Sequence, residues 1–310
     1  MGMKQNISVT WQGCKSIFRN MKAIKKGQQT NFAILQNAHR LEKGLSIRTP
    51  KRMWGYDKAA DLVRRIKTES QKELKDEKSI QIGISVLSAF VDAKINSDNP
   101  EEKEKLNSLT AKISEAGIDL KTDPMYGGGV LIRKTEITVD EAAASQLFMT
   151  RHSVRDFDDT PVDMEKLKKA VSLALRAPSA CNRQASQIYV ISGEDRIKAG
   201  SGNDYHADKY LIITGNMRAF SVGELNDWIV STSIFCGYLT LALHAEGIGC
   251  CVYRKDIIKD SRFNDAIRTL CNIPTDEQII LELAIGNYKE EFKVPVSCRK
   301  DADEILHFHN

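Results

Sequence analysis

From Trp228 to Ala245 the chain carries no acid, lysine or arginine and is apolar almost all round a helical wheel. A helix of that kind must be buried inside a domain or at an interface. Gly247 and Gly249 close it. A second apolar run, Gln278–Gly286, reads as a long strand through Ile279, Ile280, Leu281, Leu283, Ala284 and Ile285. Gln187–Ser192 and Lys209–Thr214 read as further strands. Helices are expected over Ala142–Phe148, where Thr138 and Glu141 have capping-box spacing, and after Pro161-Val162-Asp163, with Leu167, Val171 and Ala174 inward and Pro178 as the stop. Helices and strands alternate without the regular spacing of βαβ units. The pattern therefore favours an α+β fold over a doubly wound sheet.

Residues 1–137 read mainly as helices. Phe32, Leu35, Ala38 and Leu41 keep a helical period, with Gly44 as a stop. Further helices are expected over about Asp57–Lys75, Ile80–Ile95 and Glu101–Ala116. The stretch Asp123-Pro124-Met125-Tyr126-Gly127-Gly128-Gly129 reads as a linker. No Lys-Ser/Thr follows the glycines, which argues against a phosphate loop. The expected division is a helical extension, 1–137, and a second domain, 138–310.

The 310 residues are 42% hydrophobic and 28% charged, the profile of a globular protein. No apolar run approaches the roughly 20 residues needed to span a bilayer, and the N-terminus has no apolar signal core. A cytoplasmic location is expected and no membrane partner. The seven cysteines are odd in number, with no C-x-x-C, so reduced and mostly buried thiols are expected and no metal site. The net charge of +4 is uneven: residues 1–50 hold nine basic residues against Glu42 alone. Without an aromatic ladder or nucleic-acid motif, that segment reads as a solvated face or one docked on the acidic remainder, and nucleic acid is not an expected partner.

Three clusters carry chemistry. Arg151-His152-Ser153-Val154-Arg155 puts two guanidiniums, an imidazole and a hydroxyl within five residues, a donor set suited to a phosphate monoester. Arg151 and Arg155 are four apart, so one helical turn or a bent helix end would face them the same way. Pro178-Ser179-Ala180-Cys181-Asn182-Arg183-Gln184 forms an irregular turn rich in amides, whose plainer reading is an Asx turn. Cys298-Arg299-Lys300 offers a third phosphate contact.

The order and spacing of these clusters resemble the nitroreductase family, whose members bind flavin mononucleotide (FMN) at a homodimer interface. The resemblance implies a nitroreductase-like fold, a central mainly antiparallel sheet surrounded by helices, over about residues 140–310. It assigns Arg151, His152 and Ser153 to the flavin phosphate and ribityl chain. Arg155 falls beside the flavin N1 and C2 carbonyl, where a fixed cation stabilises charge built up on reduction. Pro178, Ser179, Ala180, Asn182 and Gln184 match the Pro-Ser-x-x-Asn-x-Gln pattern that faces the isoalloxazine and ribityl groups. Tyr253 and Arg254, after Gly247-Ile248-Gly249, correspond to the segment over one flavin face, with a backbone N–H near N5. Val252 stands where family members often have Pro. Arg299, or alternatively Lys300, closes the phosphate site, and Asn203 is a weaker match.

By the same resemblance the chain is an FMN-dependent oxidoreductase passing hydride from NADH or NADPH to an electron-poor small molecule, a nitroaromatic or quinone, by ping-pong kinetics. No side chain need act as acid or base, so no catalytic residue is assigned. A specialised flavin enzyme (a dehydrogenase or dehalogenase), or a polysaccharide-pathway binding protein with a vestigial flavin site, remains as an alternative. The segment His39-Arg40-Leu41-Glu42-Lys43-Gly44-Leu45 is similar to an extension on nitroreductase-like proteins of polysaccharide biosynthesis. There it would line a substrate cleft or brace the dimer; alone, it reads as a salt-bridged helix end.

Overall fold

The computed structural model describes residues 20–47, 53–132, 139–199, 205–253 and 261–309, together with Trp11, Cys14, Ile17 and Phe18. Four helices, α1 (Thr30–Ser46), α2 (Tyr56–Ser70), α3 (Glu77–Lys94) and α4 (Pro100–Glu115), enclose one apolar core. Leu41, Leu62, Ile66, Leu87 and Phe90 are fully buried in it. The caps explain where these helices start. Asp76 accepts the Ser79 N–H at 3.0 Å ahead of α3. Asn99 accepts the Glu101 N–H at 2.9 Å ahead of α4, where Pro100 fills the first turn. Gly44 does not stop α1, which runs on to Ser46. A Cβ there would lie 1.6 Å from Trp54 Cη2, so the glycine makes room for the indole.

The second region is built on four strands: β1 (Ser186–Ser192), β2 (Lys209–Asn216), β3 (Ile248–Tyr253) and β4 (Glu277–Asn287). Their order is β1-β2-β4-β3 and every pairing is antiparallel, with a register slip at Ile213/Thr214. Helices α5 (Glu141–Thr150), α6 (Met164–Ala174), α7 (Gly193–Lys198), α8 (Asp227–Ala245) and α9 (Ser261–Leu270) surround it. The α+β fold, with a central antiparallel sheet among helices, is the one expected. The cap of α5 is Asp140, which accepts the Ala143 N–H at 3.0 Å, rather than Thr138, which lies outside the described residues. Strand β3 was not foreseen, because Gly249-Cys250-Cys251 shows no alternation.

Helix α8 lies on one sheet face, packing Leu239 and Leu243 against Leu211, Ile213, Leu283 and Ile285. On the opposite face Phe157, Tyr210, Ile212 and Ala284 meet Ile267 of α9. By length and composition the 19-residue α8 would pass for a membrane span, with mean hydropathy 1.4 over its most apolar window, which corrects the expectation that no such run exists. Its apolarity has two sources in the fold. Trp228, Phe235, Cys236, Leu239 and Leu243 are buried, whereas Val230, Ile234 and Tyr238, one turn apart, form an exposed apolar stripe.

The two regions are joined by direct contacts. Ala23, Ile24 and Phe32 pack with Ala185, Met217, Phe220 and Trp228. Lys26 pairs with Asp276 at 2.7 Å, and the Gln29 N–H donates to Arg218 O at 2.9 Å. The presumed linker is itself packed. A Cβ on Gly128 would lie 2.7 Å from the Val86 backbone nitrogen, and the Gly129 N–H donates to Glu42 Oε1 at 3.3 Å. The segment thus lies flush against α3 and is tied to α1.

Candidate active site

Helix α5 ends at Thr150, and the first cluster leaves it in a non-helical conformation. Ser153 forms a bridge with Cys250 of β3, and the Val154 N–H donates to Cys250 O at 3.0 Å. Val154 and Phe157 are buried beneath it. The four-residue spacing of Arg151 and Arg155 is therefore not the helical pairing expected. The sheet edge takes up the backbone, with Val154 and Phe157 as apolar anchors. The Arg155 Nη1 donates to Ser153 O at 3.4 Å.

Among the described residues, neither Arg151 nor Arg155 forms an ion pair with a carboxylate. The exposed Asp156 next to Arg155 in sequence is taken by Lys289 at 2.5 Å. An Arg151 guanidinium without counter-charge beside the Ser153 hydroxyl suits a phosphate, and Arg155, likewise without a carboxylate partner, is a second cation for another part of the same ligand. The residues present thus fit the phosphate end of FMN.

The cluster is braced by α8 and the end of β4. Thr150 Oγ1 lies 2.8 Å from His244 Nε2, and His244 Nδ1 lies 2.8 Å from the Tyr288 hydroxyl. Burial, with Arg151 and His152 nearby, holds the His244 imidazole below its ordinary pKa. Burial likewise pushes the Cys250 thiol up to about 12, so this thiol stays protonated under the cluster. All seven cysteines are free, but Cys236, Cys250 and Cys251 alone are buried, fewer than expected.

The second cluster is a strained turn. Cys181, Asn182 and Gln184 adopt left-handed backbone at φ 51, 52 and 50. Each costs on the order of 1 kcal/mol for a residue with a side chain, and such strain persists only where the surroundings impose it. Two backbone contacts help. The Gln184 N–H donates to Ser179 Oγ at 3.2 Å, and the Ala180 N–H to Ser231 Oγ of α8 at 3.3 Å. The larger restraint is Arg183, which is 1% exposed. Its Nη2 meets Glu224 Oε1 at 2.5 Å, and its guanidinium stacks on Phe220 at 4.8 Å. With its amide oxygen turned to the guanidiniums, Gln36 of α1 accepts from Arg183 Nη2 at 2.5 Å and from Arg40 Nη2 at 3.0 Å. Burial raises the Glu224 carboxyl, but hydrogen bonds from Arg183 and Ser221 overcome this and bring it down to about 2. Sequence reasoning did not single out Arg183 for this role, because Glu224 lies 41 residues away and nothing local announces the pair.

The remaining sequence candidates are placed less fully. Tyr253 ends β3, which puts its backbone on the same strand as the Ser153 bridge. Arg254 and Asn203 lie outside the described residues. Arg299 is exposed and donates to Ser297 O at 2.6 Å, and Ser297 is again left-handed at φ 45. The structure brings the first cluster onto β3 and binds Ser179, Asn182 and Gln184 into one turn. Among the described residues, no hydrogen bond or ion pair joins either group to Arg299.

A cavity of about 380 Å³ opens beside the second cluster. Its walls come from α1, α3, the 124–129 segment and Asn182. His39 and Glu42 of the extension motif line it, 3.5 Å apart, whereas Arg40 turns to Gln36. Burial raises the Glu42 carboxyl, with the Gly129 N–H and His39 opposing that shift.

Residues 148–214 match the model of the nitroreductase family, a span holding both the first and second clusters. Solved structures similar to the chain include an FMN-dependent nitroreductase from Clostridium difficile R20291, at 25% identity over 54% of this chain and 99% of that one, with a TM-score of 0.44. A nitroreductase with bound FMN from Bacteroides fragilis NCTC 9343 is 14% identical over 56% of this chain and 100% of that one, with a TM-score of 0.45. Another with bound FMN, from Desulfitobacterium hafniense DCB-2, is 18% identical over 53% and 97%, with a TM-score of 0.42.

Proposed function

We propose that this chain, whose residues 148–214 match the model of the nitroreductase family, is an FMN-dependent oxidoreductase drawing on NADH or NADPH. The observation that carries the reading is the uncompensated pair Arg151 and Arg155, set beside Ser153 on the edge of β3 within the family-matched span. Arg151, His152 and Ser153 would hold the phosphate and ribityl end. Asn182 and Gln184 would offer amide donors and acceptors from the strained turn, and Arg299 would close the phosphate site. FMN would supply two-electron transfer from the nicotinamide to an electron-poor acceptor, each visiting one pocket in turn. Arg155 would supply a positive charge where reduction builds negative charge, which would favour the reduced state.

Two features support a homodimer. Val230, Ile234 and Tyr238 leave an apolar stripe on α8 without cover. The first cluster is braced at His244 and the second at Ser231, about 20 Å apart along α8 at 1.5 Å per residue. A two-fold axis across that stripe would bring the first cluster of one subunit toward the second cluster of its partner.

The test is anaerobic stopped-flow reduction of the FMN-loaded protein by NADH and by NADPH, compared with Arg155→Ala. Reduction that slows by about tenfold or more in the variant is expected, the order for one charge-assisted contact. Unchanged kinetics refute the role of Arg155, and no reduction by either nucleotide refutes the oxidoreductase reading.

A further inference from the structure

The cavity between the helical extension and the Asn182 turn is not explained by the three cofactor clusters, and its lining is mixed in a specific way. Leu35, Ala38, Ile82 and Met125 supply apolar surface, with the Tyr126 ring beside them. The volume, about 380 Å³, falls within the range of small-ligand pockets, roughly 300–1,000 Å³. The polar groups are His39, Glu42, Lys78 and Asn182.

Their two charged side chains are engaged differently. Glu42 is already satisfied, by His39 at 3.5 Å and by the Gly129 N–H at 3.3 Å, and burial weakens its tendency to ionise. Lys78, at the exposed start of α3, forms no ion pair among the described residues. The cavity therefore presents, at the rim of an apolar floor, one cation that is not held in an ion pair.

The geometry points to this cavity as the pocket for the physiological acceptor, a conjugated-ring carboxylate whose anionic group is held by Lys78 and whose ring lies on Leu35, Ile82 and Tyr126. The inference rests on the flavin reading only for what the pocket serves. Among the described residues, Asn182 is the one common to the cavity and the flavin clusters, so a ligand seated here meets the redox site at that turn. The same arrangement gives the helical extension a task. It supplies most of the wall, and Gln36 and Glu42 fix that wall to the turn and to the 124–129 segment.

Isothermal titration of the full-length protein, with whatever flavin it carries, separates this inference from the flavin reading. The probes are 4-nitrobenzoate and uncharged nitrobenzene, which differ in the carboxylate alone. We expect 4-nitrobenzoate to bind more tightly than nitrobenzene. Lys78→Ala should weaken 4-nitrobenzoate about tenfold, as loss of one charge-assisted contact implies. Lys67→Ala, an exposed charge removed from α2, should leave its affinity unchanged. Ile82→Glu, which places an acid on the apolar floor, should abolish binding. Failure of 4-nitrobenzoate to bind, equal affinity for the two probes, or an affinity unmoved by Lys78→Ala overturns the inference. A protein that binds 4-nitrobenzoate as described but takes up no FMN keeps the pocket and loses the flavin reading.

Discussion

Arg183→Met removes the guanidinium beneath the strained turn and keeps most of the side chain's volume. Arg183 is buried, bonded to Glu224 at 2.5 Å and stacked on Phe220. Its loss leaves Glu224, whose side chain is 26% exposed, without its cation. The fall of the Glu224 pKa from 4.5 to about 2 corresponds to at most about 3 kcal/mol, at 1.36 kcal/mol per pH unit. Ser221 keeps its share, and partial exposure lets water stabilise the freed carboxylate. The expected loss is therefore about 2 kcal/mol.

The pH dependence has a definite sign. The folded pKa is depressed, so the contribution is complete above pH 4.5 and fades as the pH falls toward 2. Denaturant unfolding followed by circular dichroism at pH 7, 5.5 and 4 should show equal wild-type advantages at the first two and a smaller one at pH 4. Glu224→Gln added to Arg183→Met should recover about half of the loss, because the unpaired charge is gone. A loss below about 0.5 kcal/mol, within the range of ordinary surface changes, or a difference that grows on acidification would refute the reasoning.

Three further outcomes are expected. Arg151→Ala should weaken FMN about tenfold or more in a fluorescence titration, and unaltered affinity would remove Arg151 from the phosphate site. His244 has a depressed pKa from burial and from Arg151 and His152, so its contribution to stability is complete above pH 6.5 and declines as the pH falls through the lower folded value. Unfolding of His244→Gln between pH 7.5 and 5 should accordingly show a flatter profile than wild type, and a parallel profile would contradict this. Gly286→Ala would put a Cβ 2.7 Å from Phe157 Cβ and Cγ, near the end of β4. It should cost about 1–3 kcal/mol and weaken FMN by shifting the 151–157 segment; an unchanged melting temperature and FMN affinity would show that Phe157 yields freely.

The elements most legible in the sequence were those whose burial is written into every residue. The Trp228–Ala245 run gave α8 within one residue of its start, and the apolar series Ile279–Ile285 gave β4. Apolar spacing placed α3 within three residues and α4 within one of their observed bounds. The site was legible as a set of residues but not as geometry. Arg151 and Arg155 looked helical because four-residue spacing is ambiguous, and only the contact of Ser153 with Cys250, nearly a hundred positions on, settles the backbone. Cys181, Asn182 and Gln184 carry no signal for left-handed backbone beyond Asn itself, since the restraint comes from Glu224, Phe220 and Gln36 elsewhere in the chain. Lys78 and Tyr126 were invisible as partners of Asn182 for the same reason. Helical packing brings them together, and no local pattern records it.

The central claim is that the Arg151 cluster and the Asn182 turn hold FMN. Its most direct test is the visible absorbance of the purified protein, with identification of what heat releases. The account predicts flavin bands and released FMN, restored by added FMN if lost in purification. A colourless protein that takes up no FMN on reconstitution would contradict it.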